Sequence, residues 1–207
     1  MWSFAIWDKK KKELTLSRDR FGEKPLYYVK KNNELFFGSE INYINILKKE
    51  KTEINQEFFK KSFYYGYKAL FLDSNLTPLK DFKFLEPSSN LIIDHKLKIL
   101  KNRYWVSKYK LNKKISYNQA KKKLRKIIIS SVNNTLRSDV DCVFGLSGGV
   151  DSSILVNIAT KILRRKIRCY TIYDNNPLYN ESKNIEANIK NNPLINHTYI
   201  YPKRLNL

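Results

Sequence analysis

Ser147-Gly148-Gly149-Val150-Asp151-Ser152-Ser153 follows the apolar run Cys142-Val143-Phe144 and opens an amphipathic segment. That setting, a glycine pair between a strand and a helix, restricts this part of the chain to an α/β arrangement with an anion-binding turn. Two glycines remove the Cβ atoms that keep backbone away from an anion, and serine hydroxyls with N–H groups at a helix N-terminus can surround a phosphate chain. Asp151 has the wrong sign to attract that anion itself. A carboxylate beside a polyphosphate makes sense when a hard cation bridges the two, and Mg²⁺ is the usual one. The stretch is not the common P-loop, whose lysine is missing: none lies between Asp141 and Thr160. A plain strand-to-helix turn with a Ser or Asp cap accounts for one or two of these residues, not for six.

The periodicity around the motif gives the rest of the second half. Ser116-Tyr117-Asn118-Gln119 has the Ser-x-x-Gln form of a capping box, and the helix it opens carries Ala120, Leu124, Ile127, Ile128, Ser131 and Val132 on one face. Strands are expected over 141–146, 167–173 and 196–201, with helices over 152–161 and 180–190. Strands alternating with helices imply a parallel sheet with right-handed crossovers. Ligands of such sheets sit beyond the carboxyl ends of the strands, where Ser147 and Asp174 emerge.

The first half reads differently. Short strands are expected over 2–7, 13–17, 26–30, 34–38 and 90–94, with a weaker one over 98–101, separated by polar turns such as Asp8 to Lys12 and Asn32-Asn33. Helices over 40–47 and 55–65 interrupt this antiparallel region, and Phe58, Phe59, Phe63 and Tyr64 in the second read as core aromatics. Arg18-Asp19 reads as an ion pair ordering the turn before Gly22, and Ser39-Glu40 as a helix cap. The expected division is therefore a domain over 1–103, a linker over 104–114 and a second domain over 115–207.

Composition excludes more than it identifies. The 207 residues are 42% hydrophobic, enough for packed cores, and the net charge is +21. Such charge invites nucleic acid or anionic membrane, but the lysine runs are spread through turns and helix faces, so a solvated cationic surface of biased composition is the simpler reading. Cys142 and Cys169 lie in apolar runs without a Cys-x-x-Cys pair, and read as reduced core residues. His95 and His197 stand alone. No apolar run reaches the roughly 18 residues of a membrane helix, and the N-terminus lacks a signal peptide's order, so a cytoplasmic location is expected.

Ser-Gly-Gly-x-Asp-Ser-Ser after a strand resembles the pyrophosphate loop of the ATP pyrophosphatase superfamily. The segments 4–8, 18–28 and 37–41, in that order, resemble the later half of the amidotransferase domain of glutamine-hydrolysing asparagine synthetase. The resemblance implies an α+β region followed by an α/β region. The first is a partial antiparallel amidotransferase domain of the N-terminal nucleophile type, the second a parallel-sheet domain of the adenine nucleotide alpha hydrolase kind. It also implies a reaction, in which aspartate attacks the α-phosphorus of ATP, pyrophosphate leaves, and ammonia displaces AMP from β-aspartyl-AMP. By position Ser147, Gly148, Gly149, Ser152 and Ser153 would hold the pyrophosphate part and Asp151 the Mg²⁺, while Gly145, Leu146 and Ile172 would meet adenine. Asn180-Glu181-Ser182 receives no role.

Departures from the family limit what is expected. The family's glutaminase nucleophile is a cysteine at the mature N-terminus, whereas this sequence starts Met1-Trp2. The family's aspartate site and catalytic lysine lie beyond the region matching 196–201. The expectation is thus an internal piece of such a synthetase, inactive alone, that binds Mg-ATP or pyrophosphate. Aspartate and glutamine become its partners only when the missing segments are supplied in trans by separately encoded pieces. The rival is an ATP pyrophosphatase acting on tRNA or another carboxylate acceptor.

Overall fold

The computed structural model describes residues 1–49, 51–66, 76–111, 114–173, 176 and 180–201. Two compact units divide the chain, Met1–Lys110 and Leu111–Leu207. Asp174 and residues 112–113 of the expected linker lie outside the described residues.

The first unit contains β1 (Ser3–Asp8), β2 (Glu13–Arg18), β3 (Tyr27–Lys31), β4 (Glu34–Gly38), α1 (Ile41–Leu47), α2 (Gln56–Tyr65), β5 (Lys83–Phe84), β6 (Ser89–Asp94) and β7 (Ile99–Arg103). They form two antiparallel sheets, β1-β2-β6-β7 and β4-β3-β5. Local chemistry sets the turns. The Asp8 carboxylate accepts from the N–H groups of Lys10 and Lys11 at 2.9 and 3.0 Å, while Asn32 and Asn33 take φ of 50° and 59° to close the β3–β4 hairpin. Leu16, Leu26, Leu85, Leu91 and Ile93 make one core cluster, and Val29, Ile44 and Phe82 another.

Three expectations for this unit need correction. Arg18 and Asp19 order the turn before Gly22 without an ion pair between them. The Arg18 guanidinium instead donates to the carbonyls of Lys24, Leu85 and Gly22 at 2.8, 2.6 and 2.6 Å. Glu40 occupies the N-cap position of α1 but makes no side-chain cap bond. Of the α2 aromatics only Phe58 is buried, with Phe59, Phe63 and Tyr64 exposed. Helical spacing specifies a face but not whether anything covers it.

Asp19 is the polar centre of the unit. It is 3% exposed, and its carboxylate accepts from the N–H groups of Trp2, Phe21, Glu23 and Lys24 at 3.3, 3.0, 3.2 and 3.0 Å. Burial alone would raise its pKa, but these donors outweigh that and bring it from 3.8 to about 2. A depressed folded-state pKa contributes stability above about pH 4 that is lost as the pH falls through about 2, in total about 2 kcal/mol. Asp19→Ala, which strands these N–H groups, is expected to destabilise the unit by about 3 kcal/mol and to flatten its stability between pH 4 and 2, checked by urea unfolding across that range.

The second unit contains α3 (Tyr117–Thr135), β8 (Val143–Gly145), α4 (Val150–Asn157), β9 (Ile167–Ile172), α5 (Ser182–Ile189) and β10 (Ile195–Ile200). Its sheet is parallel with order β10-β9-β8, and Phe144, Cys169 and His197 are in register across it. The α3 capping box forms in both directions: Gln119 N–H donates to Ser116 Oγ at 3.3 Å, and Ser116 N–H donates to Gln119 Oε1 at 3.1 Å. Val132, Leu146, Val156, Ile158, Ala159, Ile167, Cys169 and Ile185 form the core. Cys169 is a buried free thiol that burial pushes up to about 11. Cys142 is also free but half-buried and outside β8.

Two expectations differ here as well. Leu124 and Ile127 of the α3 face are exposed. The helix expected over 152–161 is α only to Asn157, and Ile158–Ile162 is a π turn in which Leu163 N–H donates to Ile158 O at 2.9 Å. Among the described residues, no helix is long and apolar enough to cross a membrane.

Candidate phosphate-binding loop

The loop stands at the carboxyl end of β8. Leu146 is buried and tied on both sides of its backbone: its N–H donates to Tyr170 O at 2.9 Å and its carbonyl accepts from Thr171 Oγ1 at 2.5 Å. Strand β9 thus fixes the entry to the loop. Beyond it Ser147 Oγ and Ser152 Oγ lie 3.1 Å apart, Ser147 N–H donates to Ser152 Oγ at 3.3 Å, and Gly149 N–H donates to Ser147 Oγ at 3.3 Å. Gly149 carbonyl closes the first turn of α4 by accepting from Ser152 Oγ at 3.2 Å and Ser153 N–H at 3.1 Å. Gly149 is the N-cap and has no side chain to bond the free N–H groups of that turn, in which Asp151 is exposed. The result is a ring of hydroxyls and N–H groups at the positive end of a helix.

Gly148 also makes room for a neighbouring element. Its φ is +86°, and a Cβ added there would meet Glu181 Cβ, Oε2 and O at 2.8, 2.9 and 3.1 Å. The missing side chain therefore admits Glu181, at the start of α5, against the loop. Sequence reading gave Glu181 no role.

A cavity of about 350 Å³ brings Gly145, Leu146, Ser147 and Ile172 together with Tyr170, Tyr173, Glu181 and Tyr199. Gly148, Gly149, Asp151, Ser152 and Ser153 continue from it along the turn and do not line it. A larger hollow of about 490 Å³ at the start of β9 and β10 is lined by none of the expected residues. The Ser153 hydroxyl is engaged by α5: Asn188 Nδ2 donates to its Oγ at 3.0 Å. Asn188 and its neighbour Asn157 carry no motif that sequence reading could have recognised. His197 bonds Thr171 Oγ1 through Nε2 at 2.8 Å, and burial lowers its pKa.

The donor set suits Mg²⁺ of the kind held by one carboxylate plus ligand phosphates. Asp151 is exposed at the loop. Among the described residues no group of three or more His, Cys, Asp or Glu side chains forms a metal cage.

Comparison with known proteins agrees with both halves of this arrangement. The glutamine amidotransferase domain family matches residues 1–105, and the asparagine synthase family matches residues 123–204. The second glutamine-hydrolysing asparagine synthetase assigned in Methanocaldococcus jannaschii is 38% identical over 164 residues, covering 76% of this chain and 30% of that protein. Asparagine synthetase 1 of Bacillus subtilis is 33% identical over 161 residues, 77% of this chain and 24% of its own length. Asparagine synthetase 2 of the same organism is 28% identical over 214 residues, 97% and 28%. The chain thus spans between 24% and 30% of these relatives' lengths. With both family matches in the order its two units follow, the chain belongs to the glutamine-hydrolysing asparagine synthetase family.

Proposed function

We propose that the chain binds Mg-ATP, or pyrophosphate, at Ser147 to Ser153 and so carries the phosphate-holding half of an asparagine synthetase site. The observation that carries this reading is the hydroxyl and N–H ring of Ser147, Gly149 and Ser152 at the start of α4. In it Ser147, Gly148, Gly149, Ser152 and Ser153 take the pyrophosphate part, and Gly145, Leu146 and Ile172 face adenine from the adjoining cavity. Asp151 would hold the cation. Bound Mg²⁺ supplies charge neutralisation along the phosphate chain.

The complete reaction is amidation of aspartate through β-aspartyl-AMP, with the acceptor and ammonia sides supplied by other segments that associate with this chain. The units then correspond to an N-terminal-nucleophile-type amidotransferase region over 1–103 and an adenine nucleotide alpha hydrolase-like region over 115–207, joined through 104–114. One observation favours a second reading. The +21 net charge suits a tRNA-directed ATP pyrophosphatase. Titrating the chain with Mg-ATP, pyrophosphate and tRNA at two ionic strengths separates them. Saturable Mg-ATP binding with tRNA affinity that collapses at physiological salt is expected. Saturable tRNA binding that persists there would favour the rival.

A further inference from the structure

Two asparagine amides link α4 to α5, and their donors and acceptors have one consistent assignment. Asn157 Nδ2 donates to Ser153 O at 2.8 Å and to Asn188 Oδ1 at 2.7 Å. Asn188 Nδ2 donates to Asn184 O at 2.8 Å and to Ser153 Oγ at 3.0 Å. Main-chain carbonyls only accept, so Ser153 O requires the Asn157 nitrogen and Asn184 O requires the Asn188 nitrogen. Turning either amide over would set oxygen against oxygen. All four amide hydrogens are thereby used, and Ser153 Oγ is compelled to accept. Its own hydrogen has no acceptor among the described residues. The arrangement leaves Asn157 Oδ1 buried without a hydrogen-bond partner among the described residues.

We infer that Asn188, held in orientation by Asn157, is a positioning residue that makes the Ser153 hydroxyl a one-way donor to the anion of the loop. The inference rests on the phosphate-binding reading of that loop. A serine hydroxyl in isolation rotates and can offer either a hydrogen or a lone pair. With one lone pair already engaged by Asn188, Ser153 is preorganised to give its hydrogen to a phosphate oxygen, and less orientational freedom is lost on binding. Glu181 against Gly148 and Asn188 against Ser153 mark two points at which α5 is seated on the loop and its helix. The sequence separation of 35 residues between Ser153 and Asn188 makes the pairing a product of the fold.

Calorimetric titration of the full chain with inorganic pyrophosphate, alongside thermal melting, tests this. Ser153→Ala is expected to weaken binding about tenfold, as loss of a hydrogen bond to a charged group. Asn188→Leu is expected to weaken it about three- to tenfold, and the double variant is expected to bind no more weakly than Ser153→Ala alone, because Asn188 acts through that hydroxyl. Asn188→Asp provides a second variant of unchanged volume: it still accepts from Asn157, draws the Ser153 hydrogen inward and also sets an oxygen against Asn184 O, so it should lose at least as much affinity as Ser153→Ala, with a lower melting temperature. Asn188 variants that bind like the parent, or losses that multiply in the double variant, would overturn the inference. A lower melting temperature with unaltered affinity would do the same. If the parent chain takes up no pyrophosphate, it is the phosphate-binding reading that fails, and this inference with it.

Discussion

Gly148→Ala is expected to destabilise the second unit by about 3 kcal/mol and to lower pyrophosphate affinity by about a hundredfold. Two costs add. A non-glycine residue in the left-handed region costs about 1–2 kcal/mol, and Gly148 has φ +86°. The added methyl would also stand 2.8 Å from Glu181 Cβ and 3.1 Å from its carbonyl oxygen, the second of which is backbone and cannot swing aside. Relieving such overpacking costs about 1–3 kcal/mol. Displacing the loop by even about 1 Å would separate its donors from a bound phosphate, which explains the size of the affinity loss. Thermal melting and pyrophosphate titration measure the two effects separately. Gly145→Ala is the control, since its Cβ would meet nothing within 4 Å. Its stability should stay within about 0.5 kcal/mol of the parent.

Asp151→Asn is expected to reduce Mg-ATP affinity about a hundredfold, or about 3 kcal/mol, while leaving metal-free pyrophosphate binding unchanged or tighter. The sign of the second effect follows from charge. Without a cation the carboxylate repels the phosphate chain, and removing it relieves that repulsion; with Mg²⁺ present, the same substitution deletes a ligand. Little change in folding is expected, because Asp151 is exposed and contributes to α4 chiefly as an acidic residue in the first turn, worth about 0.5 kcal/mol. Titrating ATP with and without Mg²⁺ checks both signs in one series. Equal Mg-ATP affinity for parent and variant would remove Asp151 from the metal site.

Residues whose structure is decided by near neighbours were legible in the sequence. Asn32 and Asn33 tolerate positive φ and do close a hairpin, and Ser116 with Gln119 forms its capping box. The alternation of strand and helix around Ser147 likewise leads to a parallel sheet. What escaped depends on chain segments far apart. Strand β5 is two residues long, too short for any period, and exists because Lys83 and Phe84 pair with β3. Phe59, Phe63, Leu124 and Ile127 have the spacing of buried faces but are uncovered. The π turn at Ile158–Ile162 leaves the apolar pattern of an α-helix almost unchanged.

The candidate site divides in the same way. Its loop was visible because a phosphate turn needs its residues consecutive. Glu181, Asn157 and Asn188 were not, because they act on the loop from α5 or through it. Arg18 and Asp19 show the limit of charge as a guide. Adjacent opposite charges suggested a pair, but each bonds backbone instead, in the turn before and after Gly22 and, beyond it, at Leu85 and Trp2.

Amide hydrogen exchange of the full chain, with and without Mg²⁺ and pyrophosphate, tests the central claim most directly. Slower exchange concentrated at Gly148, Gly149, Val150, Asp151, Ser152 and Ser153, and lost in Asp151→Asn when Mg-ATP replaces pyrophosphate, is the predicted result. Saturable binding that leaves those amides unaltered and protects another part of the chain would contradict it.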